Sequence, residues 1–280
     1  MAGWSTAVFS DGGVMASRVR RYWRSLMCFW STSLEAELEY QLNVAIELIA
    51  VLGNLAGSLF VMVLLAGPGG QLGGWSWNSA LVVLGIYTLL DGFTSCVLQP
   101  NLTKIVSHVQ NGTLDFVLLK PIDSQFWLST RSLSPWGLPG IVAGSVLIGW
   151  ALVHHGESLS LASLIVALGL LVAGALILYS LWFLLAGLSI WFVKVWNATE
   201  VLRYTLVAGR YPISAYPPAL RVVFTVVLPV AFLTTVPAEA FLGRGSLAWV
   251  LGALAAASLG LIGTRLFWQF ALRHYTSASS

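Results

Sequence analysis

The chain has 280 residues, 58% of them hydrophobic and 9% charged, with a formal net charge of +3 and a mean hydropathy of +0.84. Soluble domains carry about one quarter charged residues, so too few ionisable side chains remain here to coat a water-soluble body of this size. A bilayer removes that demand, because Leu, Val and Trp can face lipid, and the composition predicts an all-α integral membrane protein.

Met1 to Ala16 holds no apolar run long enough for the core of a signal peptide, and the whole chain is expected to be retained. Arg18 to Gln41 reads as an amphipathic helix lying on the membrane. Trp23, Leu26, Trp30, Leu34 and Leu38 recur every three or four residues, while Arg18, Arg20, Arg21 and Arg24 gather near its start. A soluble helix has the same periodicity, but two tryptophans on the apolar stripe favour the interface, where indole rings settle. Cys28 falls in this helix and Cys96 in a later span, so no disulfide is expected.

Six spans are predicted over about 42–66, 77–98, 136–153, 161–191, 219–238 and 247–270, each near the roughly 20 residues that cross about 30 Å of hydrocarbon. Residues 1–41 then form a cytosolic N-terminus with its interfacial helix, 42–270 the transmembrane domain and 271–280 a cytosolic tail. Gly67-Pro68-Gly69-Gly70 ends the first span and Pro100 the second. Phe192 to Pro218 reads as an inner loop. With the N-terminus inside, Arg18, Arg20, Arg21, Arg24, Lys104, Lys120, Arg131, Lys194, Arg203, Arg210, Arg221, Arg265 and Arg273 lie on the cytosolic side, and of the fourteen Lys and Arg only Arg244 lies outside. Such asymmetry sets both termini in the cytosol. The Asn-x-Thr triplets at Asn101, Asn111 and Asn197 fall on that inner side and read as chance.

No Gly-Lys pair occurs anywhere, so the chain has no phosphate loop and no ATPase of its own. His-Glu-x-x-His, Cys-x-x-Cys and Gly-x-Ser-x-Gly are also missing, so no metal site and no nucleophile triad is assembled from sequence. Two carboxylates lie inside spans, Glu47 and Asp91. A charge at mid-bilayer costs about 2.5–3.5 kcal/mol on insertion scales, so each should face protein or water. Asn43, Glu47 and Asn54 share one helical face, which reads as a polar seam along a substrate path or a proton route. Against that, Glu47 lies about six residues, about 9 Å, into its helix, which favours a seat near the headgroups. For Asp91 the structural and path-lining roles stand level. Gly53 and Gly57, and Gly252, Ala256 and Gly260, recur at intervals of four and point to close helix contacts within the chain.

Between the second and third spans, His108 to Asp123 is the longest polar interruption of the first half. Leu114, Val117 and Leu118 fall on one side of a short amphipathic turn closed by Pro121. Such a turn lies on the bilayer, or is gripped in a groove of a soluble partner; periodicity does not separate the two.

Three stretches resemble a known family. Asn111-Gly-Thr-Leu-Asp-Phe-Val-Leu-Leu-Lys-Pro-Ile122 is similar to the Gly-x-Leu-Asp-x-x-Leu-Leu-Arg/Lys-Pro-Leu/Ile segment of bacterial ABC-2 type transporter permeases. Gly209-Arg-Tyr-Pro-Ile-Ser-Ala-Tyr-Pro217, followed by Leu228-Pro229-Val230-Ala231-Phe232 and Val236-Pro237-Ala238, resembles their second signature. Leu38-Glu-Tyr-Gln-Leu-Asn43 resembles their entry to the first span, with Gln41 where Arg is more usual. The likeness runs along most of the chain, in order and with the same six-span layout.

The resemblance implies a non-catalytic permease in a bacterial inner membrane. It would pair with a second permease, identical or different, and with two cytosolic ABC ATPase subunits that carry the ATP and Mg. Asn111, Gly112, Leu114, Asp115, Leu118, Lys120, Pro121 and Asp123 would form the coupling helix seated in the ATPase, and Asn197 to Arg210 a lesser contact. A path between two permeases, in contact with membrane lipids, would be lined by the first, second and fifth spans, with Asn43, Glu47, Asn54, Asp91 and Pro229 as its candidates. Export of an amphipathic, lipid-linked or glycan cargo is implied, and no nucleic acid. The rival readings are a lipid-modifying enzyme or a proton-coupled carrier using Asp91 and Glu47, and a membrane anchor that transports nothing.

Overall fold

A computed structural model describes residues 11–38, 41–66, 70–154, 156, 160–192, 202–204 and 206–275. Part of the Leu38 to Asn43 motif, Lys194, Asn197 and the last five residues of the tail lie outside that set. Among the described residues the regular structure is helical, joined by turns and irregular segments. Helix α1 runs over Asp11–Leu38 and α2 over Gln41–Leu65. Helix α3 spans Trp77–Gln110, α4 Leu114–Leu118 and α5 Ser124–Thr130. Leu138–Val153 is α6, Leu161–Gly187 is α7, Pro218–Val227 is α8, Val230–Phe241 is α9 and Leu247–His274 is α10. Five of these, α2, α3, α6, α7 and α10, are long and apolar enough to cross a bilayer. One end of the bundle carries the 111–134 loop and is termed the loop face. The other carries the turns before α3 and after α6 and is termed the turn face.

Pro100 was expected to end the second span, yet α3 continues through it. Proline has no N–H to offer the carbonyl four residues back, which is that of Cys96. Two local adjustments meet the deficit. The backbone widens to a π turn over Thr94–Leu98, with the Gln99 N–H reaching the Thr94 carbonyl. The Ser134 N–H then donates to the Cys96 carbonyl at 2.9 Å. The uninterrupted 34 residues of α3 reach about 51 Å at 1.5 Å per residue, against about 30 Å of hydrocarbon. Its last turns therefore stand clear of the membrane core and carry the loop.

Helices α3 and α6 meet backbone to backbone. A methyl group at Gly92 would lie 2.5 Å from the Ile141 nitrogen, and one at Gly144 2.5 Å from the Leu89 nitrogen; one at Gly137 would lie 2.5 Å from the Cys96 nitrogen, and one at Gly85 2.7 Å from the Ile148 side chain. Lipid supplies no hydrophobic drive between helices, so such contact rests on van der Waals fit at small residues. The two patterns singled out in the sequence divide differently. Gly260 sits against Ser180 and Gly252 against Phe232, whereas Gly53 and Gly57 have nothing within 4 Å.

Where a fifth span was expected over 219–238, the chain forms a hairpin. Helices α8 and α9 are bent by 71° at Leu228-Pro229. They contain ten and twelve residues, about 15 and 18 Å, each too short to cross. Both outer ends lie at the turn face. Ahead of α8, the Ser214 hydroxyl donates to the Gly73 carbonyl at 2.7 Å, and beyond α9, Gly243 lies beside Ser163 at the start of α7. The pair is therefore re-entrant. Trp191, at the end of α7, stacks with Phe270 near the C-terminal end of α10 at the loop face, so the chain passes to the turn face between Trp191 and Ile213. Leu202–Tyr204 are helical on the way.

That path corrects three charges read as cytosolic. Arg221 donates to the Tyr216 and Ser214 carbonyls, both at 2.6 Å, at the turn face. Arg203 and Arg210 lie between the faces. Arg20, Arg24, Lys104, Lys120, Arg131, Arg265 and Arg273 stay on loop-face elements.

Helix α1 also departs from a purely lipid-facing stripe. The Trp30 indole donates to the Thr130 carbonyl at 3.1 Å, the Ser33 hydroxyl bridges both backbone groups of Leu133, and Tyr22 meets Phe126 edge-on at 4.8 Å. The reason is local: the irregular chain after α5 has backbone groups that its own helices leave unpaired. Both described ends of the chain, α1 and the end of α10, lie at the loop face.

Gly92→Ala is expected to lower stability by about 1–3 kcal/mol through overpacking, whereas Gly53→Ala, in open space on a helix, gains up to about 1 kcal/mol from propensity. Thermal unfolding of both variants in one detergent checks the contrast; equal effects would refute the α3–α6 seam.

Candidate functional site

Two places gather the residues that sequence reasoning singled out. The first is the loop tip. Helix α3 closes with the Gly112 N–H on the Val109 carbonyl at 3.3 Å and the Thr113 N–H on the His108 carbonyl at 2.9 Å. This closing pattern needs a left-handed residue, and Gly112 supplies it at φ +64°. Gly112 thus aims the chain into α4, and its part is carried by the backbone.

Helix α4 is a little over one turn long and apolar on both sides. At 3.6 residues per turn, Leu114, Val117 and Leu118 share one side and Phe116 and Leu119 the other. Leu114 and Val117 are buried against the rest of the chain. Leu118 is 39% exposed, Phe116 69% and Leu119 81%. The stripe expected to meet a partner is therefore mostly covered by the chain itself, and the uncovered apolar surface is centred on Phe116 and Leu119. Sequence reasoning passed over these two because it looked for one apolar face. The signal was there: Asp115 is the only polar residue between Leu114 and Leu119.

Around that tip, Asn111, Lys120 and Pro121 are exposed. Asp115 lies close enough to Tyr275, just past α10, that burial and its carboxylate push the Tyr275 hydroxyl pKa up. Asp123 caps α5 by accepting from the Phe126 N–H at 3.0 Å and pairs with Arg265 of α10 at 2.8 Å. The Trp268 indole donates to the Ser124 hydroxyl at 3.0 Å. The second half of the loop is thus fastened to α10, while the first half presents the exposed tip.

The second place is a polar chamber of about 220 Å³ between α2, α3, α6 and the segment leading to Arg210. Its lining includes Glu47, Asn54, Tyr87, Asp91, Arg203 and Arg210, besides the hydroxyl residues Ser58, Thr88 and Ser95. The Arg210 guanidinium donates to the Asn54 side-chain oxygen at 3.1 Å and lies over the Tyr87 ring at 5.0 Å. Asp91 is within electrostatic reach of both Arg203 and Arg210. With Glu47 the formal charges balance, as a low-dielectric setting demands.

Glu47, Asn54 and Asp91 are therefore brought together. Asn43, a turn nearer the loop face and exposed, is not in the lining, and Pro229 sits at the α8–α9 bend. Arg203 and Arg210 were missed as chamber residues. A buried Asp91 asks for a cation, and two arginines seven apart on one helix face, set among Leu, Val and Ala, were the available answer. Among the described residues, no group of three or more His, Cys, Asp or Glu is placed to hold a metal ion.

A family model described as ABC-2 family transporter protein matches residues 52–279. Neither a curated protein nor a solved structure matches the chain.

Asp91→Asn is expected to destabilise the protein by leaving two half-buried guanidinium groups short of a carboxylate, and Arg210→Gln by freeing Asp91 and Asn54. In a double-mutant cycle the two should couple by about 0.5–3 kcal/mol, read from thermal unfolding in detergent; strict additivity would separate Asp91 from the arginine.

Proposed function

Because the chain belongs to the ABC-2 family of transporter proteins and is a permease subunit of an ABC transporter, we propose that it exports an amphipathic, lipid-linked or glycan cargo, moved by a separate ABC ATPase that binds the loop tip. The observation that carries this reading is the α4 helix, whose Phe116 and Leu119 stand uncovered at the end of two stems welded to each other. An apolar helical tip of this kind fits a groove on a soluble partner. Asn111, Asp115, Leu118, Lys120 and Pro121 rim it, and Asp123 anchors the loop behind it.

In this reading the loop face is cytosolic, supported by its Lys and Arg, and the membrane is a bacterial inner membrane. The permease has two arrangements of similar energy, and ATP on the partner favours one of them through a contact that differs between the two. A shift of the tip travels along α3 and α6 as one body. Gly92, Gly137 and Gly140 line the chamber beside Asp91, so the same shift changes the chamber. Glu47, Asn54, Asp91, Arg203 and Arg210 then offer a cargo headgroup both signs of charge, with Asn43 at the loop-face approach and Pro229 at the hinge of the re-entrant pair. A second permease, the same or different, completes the path on the open side of α2.

The double variant Phe116→Asp/Leu119→Asp is expected to insert and fold but to lose the ATPase. Capture of the chain from native membranes, with mass spectrometry for a subunit bearing a phosphate-binding loop, should find that subunit with wild type and reduce it at least about tenfold with the variant. Undiminished capture would remove the coupling role. Glu47 and Asp91 sharing one chamber is the observation that favours a proton-coupled carrier instead; transport that persists without ATP and fails in Asp91→Asn would decide for it.

A further inference from the structure

A cavity of about 460 Å³ opens at the loop face behind the α4 tip, with which it shares Lys120, and apart from the chamber. Cys28, Phe29, Thr32 and Ser33 of α1 form one wall, Lys104 of α3 another, and Lys120, Trp127, Arg131 and Ser132 the remainder. Its volume lies within the range of about 300–1,000 Å³ usual for small-ligand sites. Among the described residues that line it are three cations and no carboxylate.

The walls are fixed before any ligand arrives. The Asn101 side chain donates to the Ser132 carbonyl at 2.7 Å and accepts from the Ser132 N–H at 2.8 Å. The Lys104 ammonium donates to the Ser132 hydroxyl at 2.9 Å, which leaves that hydroxyl its own proton to give. Trp127 is buried, with the Arg131 guanidinium over its ring at 4.5 Å and the Lys120 ammonium at 5.3 Å. One indole thus holds two cations beside a third. An anion with several acceptor oxygens can take charge-assisted hydrogen bonds from cations grouped round one cavity.

The depth of the cavity identifies the source of the anion. It lies between an amphipathic helix on the loop face and the part of α3 that leaves the hydrocarbon, which is headgroup level, and basic pockets at this level between helices take lipid phosphates. We propose that this cavity is a binding site for the phosphate of an anionic glycerophospholipid from the loop-face leaflet. The inference rests on reading that face as the membrane–water boundary. A seated headgroup joins α1 to α3 and α5, so that the interfacial helix follows the loop.

The test uses the full chain, delipidated in detergent, with native mass spectrometry against phosphatidylglycerol, phosphatidylcholine and inorganic phosphate. Wild type should retain phosphatidylglycerol at least about tenfold more tightly than phosphatidylcholine. Lys104→Gln and Arg131→Gln should each erase most of that preference, and Arg131→Lys should keep it. Thr32→Glu, at an exposed position on the α1 wall, adds a carboxylate without disturbing a buried contact and should expel the lipid even if a cation variant folds poorly. Failure of millimolar inorganic phosphate to displace the lipid assigns the site to a lipid headgroup; displacement assigns it to a phosphate group from either source. Equal retention of phosphatidylglycerol by wild type and Thr32→Glu, or no preference over phosphatidylcholine, overturns the proposal. The assay contains no ATPase, so its failure leaves the coupling role untouched, and loss of the ATPase in the tip variant leaves this site untouched.

Discussion

The contact on which the rest of the structure depends is the one between α3 and α6, where glycine lets backbone touch backbone. Gly85 and Gly92 on α3 face Gly140 and Gly144 of α6 and Gly137 just before it, and methyl groups added at Gly92, Gly137 or Gly144 would collide with main-chain atoms, which cannot turn away as a side chain can. Rigid main chain on both sides makes the pair move together. The loop 111–134 grows out of this pair, and the Ser134 N–H on the Cys96 carbonyl closes its base. That single bond serves two ends: it satisfies the carbonyl that Pro100 orphans, and it ties the return strand of the loop to the outgoing stem.

The chamber is built on the same seam but closed by looser parts. Gly92, Gly137 and Gly140 form its rigid side. Opposite them, α2 is mostly exposed and is held near the chamber by polar links, Asn54 to Arg210 and the Tyr211 hydroxyl to the Ser58 carbonyl at 3.5 Å. Hydrogen bonds between membrane helices average about 0.6 kcal/mol, so beside the chamber α2 is held less firmly than the glycine seam holds α3 to α6, its deepest apolar contact being Met62 farther along the helix. A chamber with one fixed wall and one weakly held wall is suited to opening. The exposed Gly53 and Gly57 put small residues on the outward surface of the helix best able to move.

Fold class was legible because it follows from bulk composition, and α2, α6, α7 and α10 because each is one apolar run of the right length. The re-entrant pair was not. Its residues are as apolar as a span, and what distinguishes it is the shortness of its two halves about Leu228-Pro229, together with tertiary contacts of Ser214 and Gly243 that no local pattern records. That one misplacement sent Arg203, Arg210 and Arg221 to the cytosol, since the positive-inside count assumes that every charge lies outside the bilayer. Pro100 misled for the converse reason: its missing bond is repaired by Ser134, far along the chain. At the sites, Glu47, Asn54 and Asp91 were found because a polar side chain in an apolar run announces itself, whereas Phe116 and Leu119 are apolar among apolar neighbours and gain their meaning only from exposure.

The second half of the loop decides how far a push at the tip can spread. The Asp123–Arg265 pair is partly exposed, with side chains 31% and 47% accessible, and surface pairs of this kind contribute at most about 1 kcal/mol. The firmer link is the buried Trp268 indole on Ser124, supported by the Tyr179 hydroxyl, which meets Ser129 at 2.9 Å and Gln125 at 3.2 Å. Trp268 belongs to α10 and Tyr179 to α7, so α5 is tied by polar contacts to the other half of the bundle, while α4 is carried on the end of α3. A displacement at Phe116 and Leu119 therefore loads two helix pairs that border the re-entrant hairpin from different sides. The bend at Pro229, where the proline offers no N–H and the arms are short, is the place where the strain between them is most easily absorbed.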